Sequence, residues 1–277
     1  MRTSSVRLPS TRPPIQQYLP GMSSGPKKPP PPFLTGAYLL PERVESWDAY
    51  PFSLPMTRGL TLKLDSAVTF LVGENGCGKS TLLQALAVLC GLPGGGGGRA
   101  QLGYQHDVPL STHSKLAEAL RPQIKRHPKS RWYFRADLQA EFARALQSVG
   151  GHHAYGRDAK AMFADRKLST LSHGEAFLAT LNNRARSGLL FFDEPESALS
   201  PQRQLTLLCL LKQAVDRGDT QVIIATHSPV LMTFPGATIL SMDDGGIEPT
   251  VLEETAHFEI TRGILDCPER YWKHLVD

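Results

Sequence analysis

The sequence is poor in cysteine, has no long apolar run, and carries no surplus of either charge outside its first segment; each shortage excludes a class of function. Its four cysteines, Cys77, Cys90, Cys209 and Cys267, are widely spread with no CxxC pair. That spacing argues against both a zinc site and a disulfide framework, and the residues read as reduced thiols. No stretch approaches the ~18–20 uninterrupted apolar residues of a membrane-spanning helix, and no apolar leader opens the chain, so the sequence predicts a cytoplasmic protein with no transmembrane segment of its own. The net charge is +4, but residues 1–32 hold Arg2, Arg7, Arg12, Lys27 and Lys28 with no acid, which leaves 25 basic against 26 acidic residues in the remainder. A nearly neutral body lacks the globally basic surface that holds phosphate backbones, and only a local patch stays open.

A chain of 277 residues, 41% hydrophobic, can bury one good core and a small appended lobe. Residues 1–32 contain nine prolines, including Pro29–Pro32, and almost no periodic apolar pattern. They are expected to form a disordered basic tail, leaving 33–277 as one domain. The acid-poor start has the composition of an organelle transit peptide, but its prolines oppose an amphipathic helix, and Met22 is an alternative start.

From Thr57 the pattern becomes regular. Leu60, Leu62 and Leu64 alternate like an edge strand, and Ala67–Val72 is a short apolar run suited to a buried strand. A helix is expected over 79–90, stopped by Gly91 and Pro93 before the run Gly94–Gly98. Residues 99–170 read as an insertion or helical lobe, with a strand at Trp132–Arg135, a helix at Asp137–Val149 and a loop near Gly150–His153. Helix 172–186, strand Leu189–Asp193, helix 201–217, strand Gln221–Ala225 and strand Thr238–Met242 then alternate as in a mostly parallel sheet covered by helices. Short helices near 257–265 and 268–276 close the chain.

Gly73-Glu74-Asn75-Gly76-Cys77-Gly78-Lys79-Ser80 fits G-x-x-x-x-G-K-[ST] between an expected strand and an expected helix, with Thr81 following. Small residues let backbone N–H groups turn inward around phosphates, Lys79 reaches the β and γ oxygens of ATP, and Ser80 ligates Mg²⁺. Cys77, where the loop bends into the helix, is either a small residue that fits or an activated thiol. Leu189–Glu194 is an apolar strand ending in two acids, which places Asp193 to hold Mg²⁺ and Glu194 to activate water at the carboxyl edge of the sheet. Glu196 competes for the role of base. The segment Leu171-Ser172-His173-Gly174-Glu175 fits a helix capping box through Ser172 and Glu175, and Ala225-Thr226-His227-Ser228-Pro229 puts a histidine at a strand end.

Together GENGCGKST, LSHGE, FFDEPESALSP and ATHSP resemble the ABC/SMC-like single-domain ATPases grouped with the overcoming-lysogenization-defect-like AAA families, from about Leu34 to the end. The resemblance implies an α/β P-loop NTPase fold with a mostly parallel central sheet, antiparallel edge strands and a small helical insertion. It implies that Ser172, Gly174 and Glu175 form a signature that engages the γ-phosphate bound to a second subunit, and that His227 is the switch histidine sensing that phosphate. Two departures stand out. Ser200 replaces the aspartate usual in the D-loop of transporters, and Gln101, Gln105 and Gln123 compete for the Q-loop.

Lys79 and Ser172 lie 93 positions apart, so an all-helical hairpin between them would reach at most on the order of 70 Å, and Pro122, Pro128, Gly150 and Gly151 interrupt it. No long coiled-coil arm is expected, nor room for a nuclease domain after Met242. The leading expectation is an ATPase whose ATP-driven homodimer switches a partner in DNA repair, phage defence or genome maintenance. The alternatives are the energy subunit of a transporter, or a nucleotide-dependent module that touches nucleic acid through Arg121, Lys125, Arg126, Lys129, Arg131 and Arg135, interleaved with Trp132, Tyr133 and Phe134.

Overall fold

The computed structural model describes residues 32–94, 97–98, 112–136, 178, 181 and 187–275. The runs Val68–Val72, Leu189–Phe192 and Val222–Ala225 are buried at every position and apolar except at Thr69, the pattern of strands covered on both faces. They form the middle of a seven-stranded sheet. Numbered along the chain, its strands are β3 (Val68–Val72), β4 (Gly97–Gly98), β6 (Arg131–Arg135), β7 (Gly188–Asp193), β8 (Thr220–Ala225), β9 (Thr238–Ser241) and β10 (Glu248–Thr250). Their order is β10-β9-β3-β8-β7-β6-β4. The five inner strands run parallel, and β10 and β4 are antiparallel at the two edges. A second, antiparallel sheet has the order β2-β1-β5, from β1 (Leu34–Leu39), β2 (Thr61–Lys63) and β5 (Leu120–Ile124).

Alternate residues of each inner strand enter different cores. Leu71, Leu189, Phe191 and Ile223 pack with helix α1 (Lys79–Leu89), helix α2 (Thr112–Ala119) and the small sheet. Phe70, Leu190, Phe192 and Ile224 pack with helix α3 (Pro201–Asp216) and the short α4 (Pro229–Met232) on the other face. Helix α1 is buried on nearly every side because it lies between the two sheets. Buried Gln221 of β8 joins them: its Oε1 accepts from the backbone N–H groups of Phe33 (2.8 Å) and Leu34 (2.9 Å), and its Nε2 donates to the Leu34 carbonyl at 2.7 Å. Helices α5 (Ala256–Asp266) and α6 (Pro268–Leu275) end the described chain.

The expected parallel core, antiparallel edges and those covering helices that fall on described residues are present, with bounds shifted by a residue or two. The alternating leucines do form an edge strand, β2, but of the smaller sheet. Strands β1, β4, β5 and β10 and helices α2 and α4 have no counterpart among the expected elements. The expected tail before Pro32, helix 137–149, loop 150–153 and most of helix 172–186 lie outside the described residues, and of that last helix only Leu178 and Leu181 are described, both helical.

Candidate functional site

Because β3, β7, β8 and β9 are parallel, the loops after them open at one edge, and the candidate residues meet there. The loop after β3 depends on glycine at its two ends. Gly73 (φ 145°) has a direction in which a Cβ would stand 2.9 Å from both Asp243 Oδ1 and Cys77 Sγ. Gly78 (φ 103°) turns the chain into α1, and a Cβ there would press on Met56 Cε at 2.9 Å. Both positions need the left-handed region that other residues enter at a cost. Between them the loop wraps the amine of Lys79, which donates to the carbonyls of Gly73 (2.7 Å) and Glu74 (2.9 Å) and lies 3.8 Å from the half-buried Cys77 Sγ.

The two acid-bearing motifs touch directly. Ser80 Oγ donates to Asp193 Oδ1 at 2.7 Å, and Tyr133 Oη donates to Asp193 Oδ2 at 3.2 Å, with Gln84 bonded to the same phenol. Burial pushes the Asp193 carboxyl above the usual carboxylate range, against the Ser80 bond, the charge of Arg135 and the Tyr133 bond. A buried carboxylate beside a serine hydroxyl is a pair of hard oxygen donors whose charge a cation would offset, so Ser80 and Asp193 fit Mg²⁺. Among the described residues no cluster of three or more His, Cys, Asp or Glu could hold a metal by itself.

Glu194 follows in the left-handed region at φ 46°, uncommon for a residue with a side chain. Its backbone N–H donates to the Ala225 carbonyl at 2.9 Å, which fixes the turn, and its half-exposed carboxylate faces His227, with Oε1 3.5 Å from Nε2. Glu196 is placed differently. Its Oε1 accepts the backbone N–H of His227 at 2.6 Å, with a further bond from the Thr226 side chain, and burial raises its carboxyl above the usual range. Glu196 thus braces the loop carrying His227, whereas the Glu194 carboxylate faces the His227 ring itself. Burial lowers the basicity of His227, helped by the charges of Lys79 and His257 and opposed by Glu194.

Three residues at this edge were not singled out in the sequence. Asp243, after β9, accepts the backbone N–H of Glu74 at 2.6 Å and the hydroxyl of Ser241 at 3.1 Å, tying down the start of the loop. Tyr50, exposed to 46%, places its hydroxyl 2.6 Å from Thr81 Oγ1 and leaves an aromatic face beside the first turn of α1. His257 of α5 reaches His227, Nε2 to Nδ1 at 2.7 Å. None belongs to a motif, and the only available signal was the type of residue itself. Ser172, Gly174 and Glu175 lie outside the described residues, as do Gln101 and Gln105; Gln123 is in β5 of the small sheet. Tyr133 and Phe134 are core residues, so the aromatic stacking considered for that segment has no exposed ring at either position.

A family model described as ABC transporter matches residues 58–197, just over half of the chain, and one described as an AAA domain of a Type IV TA system matches residues 175–233. The cobalt import ATP-binding protein CbiO of Salmonella paratyphi A is 30% identical over 192 residues, covering 62% of this chain. The chain spans only 66% of that relative's length. The aliphatic sulfonates import ATP-binding protein SsuB 3 of Paraburkholderia xenovorans is 33% identical over 197 residues, covering 70% of this chain and 73% of the relative. The solved structure of cbiO1 from Clostridium perfringens aligns with 79% of this chain and 90% of its own at 18% identity and a TM-score of 0.44, too low to carry any inference about the site.

Proposed function

The chain belongs to the ABC family of ATP-binding domains, and on that premise we propose that it binds Mg-ATP in the loop Gly73–Ser80 and hydrolyses it with Glu194 as general base. The observation that carries the reading is the convergence of Lys79, Ser80, Asp193, Glu194 and His227 at one sheet edge, through the Ser80–Asp193 bond and the Glu194–His227 approach. The N–H groups of the loop and the start of α1 cradle the phosphates, and Lys79 exchanges its carbonyl partners for β and γ oxygens. Ser80 and Asp193 would hold Mg²⁺, which when bound would neutralise phosphate charge. Glu194 takes the proton of the attacking water, since its carboxylate, unlike that of Glu196, is not tied to the His227 backbone, and His227 donates from Nε2 to a γ-phosphate oxygen. Tyr50 offers its ring to the base. Ser172, Gly174 and Glu175 close the site from a second copy, so turnover needs a homodimer.

The dimer acts as a switch on a partner protein, with DNA repair, phage defence or genome maintenance as the settings; the AAA-domain match over residues 175–233 favours this reading. The second reading, the energy subunit of an importer, is favoured by the names of the cobalt and sulfonate relatives. Among the described residues no helix is long and apolar enough to cross a membrane, and on the import reading a membrane subunit partners the chain. Phosphate release by the purified full chain, with Mg²⁺ and with chelator, tests the activity: Mg-dependent release lost in Lys79→Ala is expected, and an inactive dimeric wild type rejects it. A membrane permease copurifying with the native protein selects the import reading, and a soluble effector selects the switch.

A further inference from the structure

His227 Nδ1 and His257 Nε2 stand 2.7 Å apart, with ring centroids 4.8 Å apart and planes inclined by 60°. Two imidazole nitrogens at that distance share one proton, so one donates and the other accepts. On its other side, His227 Nε2 faces Glu194 Oε1 at 3.5 Å and makes no hydrogen bond of its own. A carboxylate can only accept, so a lone pair on Nε2 pointing toward it would be repelled, whereas an N–H would be attracted. The two contacts therefore require the same arrangement.

We propose that His257 is a positioning residue for His227: its Nε2–H donates to Nδ1, which holds the proton of His227 on Nε2, the nitrogen facing Glu194. The inference rests on the reading of His227 as the phosphate donor, but the tautomer itself does not. Burial and the nearby Lys79 charge lower the basicity of His227 and so favour the neutral form, in which the choice of tautomer matters. His257 is held firmly enough for the task. It is the second residue of α5, whose N-cap, buried Thr255, accepts from the Phe258 N–H at 3.4 Å and donates its hydroxyl to the Leu252 carbonyl at 2.7 Å. The rest of the loop is set independently by Glu196, on the backbone N–H of His227. Glu196 thus places the backbone and His257 the proton.

Two substitutions separate a donor from a packing partner: His257→Phe keeps a ring against His227 and removes the N–H, while His257→Gln restores a donor without the ring. Ring ¹⁵N spectra of the nucleotide-free full chain read the tautomer directly, and steady-state turnover reads its consequence. The wild type should show His227 protonated at Nε2. In His257→Phe an Nδ1-protonated population should appear and kcat should fall on the order of tenfold with KM for ATP little changed, and His257→Gln should recover most of both. A wild type protonated at Nδ1 overturns the proposal, as does a Phe variant with unaltered spectrum and turnover, or a Gln variant as impaired as the Phe one. A wild type with the expected tautomer but no Mg-dependent turnover would remove the ATPase reading and leave the positioning contact standing.

Discussion

Ser80 and Asp193 are 113 positions apart in the chain, yet the hydroxyl of one donates to the carboxylate of the other at 2.7 Å. The bond exists because β3 and β7 both flank β8 in parallel, so the loop leaving β3 and the acid ending β7 arrive at one edge. The same geometry buries Asp193 beside Tyr133 and Glu194, a setting that favours a bound cation and penalises the bare carboxylate.

That penalty has a sign that can be measured. Burial, with Glu194 adding to it, raises the folded-state value of Asp193 above its unfolded one, so the folded protein holds the proton longer. Below the unfolded value the group costs nothing; as pH rises through the folded value it comes to destabilise the protein in full. With chelator and no nucleotide, Asp193→Asn should raise Tm at pH 7 by on the order of a few degrees, a gain fading toward pH ~4, while Mg-ATP binding weakens. Thermal melts across pH check this, and a lower Tm at neutral pH would contradict it.

Lys79→Ala should remove most Mg-ATP binding. Its amine lies within the loop, bonded to the Gly73 and Glu74 carbonyls, and among the described residues no other lysine or arginine bonds to that loop. Titration calorimetry on the folded variant is the measurement; unchanged affinity would place the phosphates elsewhere.

Much of the site was legible because its chemistry sits in dense local patterns: a glycine-rich loop between a strand and a helix, and an apolar run ending in two acids. The central parallel strands were legible because burial on both faces leaves them almost continuously apolar, Thr69 of β3 being an exception. Of the small sheet only β2 was legible, through its alternating leucines. β5 carries Pro122, which removes a ladder donor and argues against a strand, and it is tolerated because β5 is an edge of its sheet. β1 carries Gly36, where a Cβ would collide with the Leu62 carbonyl of β2, so the close pairing that selects glycine there also dilutes the apolar alternation. Asp243 and His257 act across 169 and 30 positions, through single polar side chains that no spacing distinguishes.

Gln221 offers a test of how the two sheets are joined. Gln221→Leu keeps the apolar volume but leaves the buried N–H groups of Phe33 and Leu34 without their acceptor. At ~1–3 kcal/mol for each unsatisfied buried donor, the loss of stability should be about 2–4 kcal/mol after partial relaxation. A urea midpoint shifted downward with an unchanged slope is expected; a shift below about 0.5 kcal/mol would mean that the contact adds little.

The last prediction concerns the order of binding, closure and hydrolysis. If Glu194 takes the proton from water while Ser172 closes the site from a second copy, Glu194→Gln should bind Mg-ATP with wild-type affinity and lose about 10²–10⁴-fold in turnover, the usual cost of removing a general base. Gln keeps the side-chain volume and can still hydrogen-bond, and the turn is held by the backbone bond from Glu194 to Ala225, which the substitution leaves intact. With hydrolysis blocked and ATP in place, the variant should accumulate as a dimer. Adding Ser172→Arg should abolish that dimer, because a bulky cation replaces the small hydroxyl at the signature, while each monomer keeps its Lys79 pocket and its ATP. Light scattering with and without Mg-ATP separates the cases. A Glu194→Gln protein that stays monomeric at saturating ATP would count against closure by a second copy. One that keeps wild-type turnover would move the base to another residue, Glu196 first, although Glu196 already spends one oxygen on the His227 backbone.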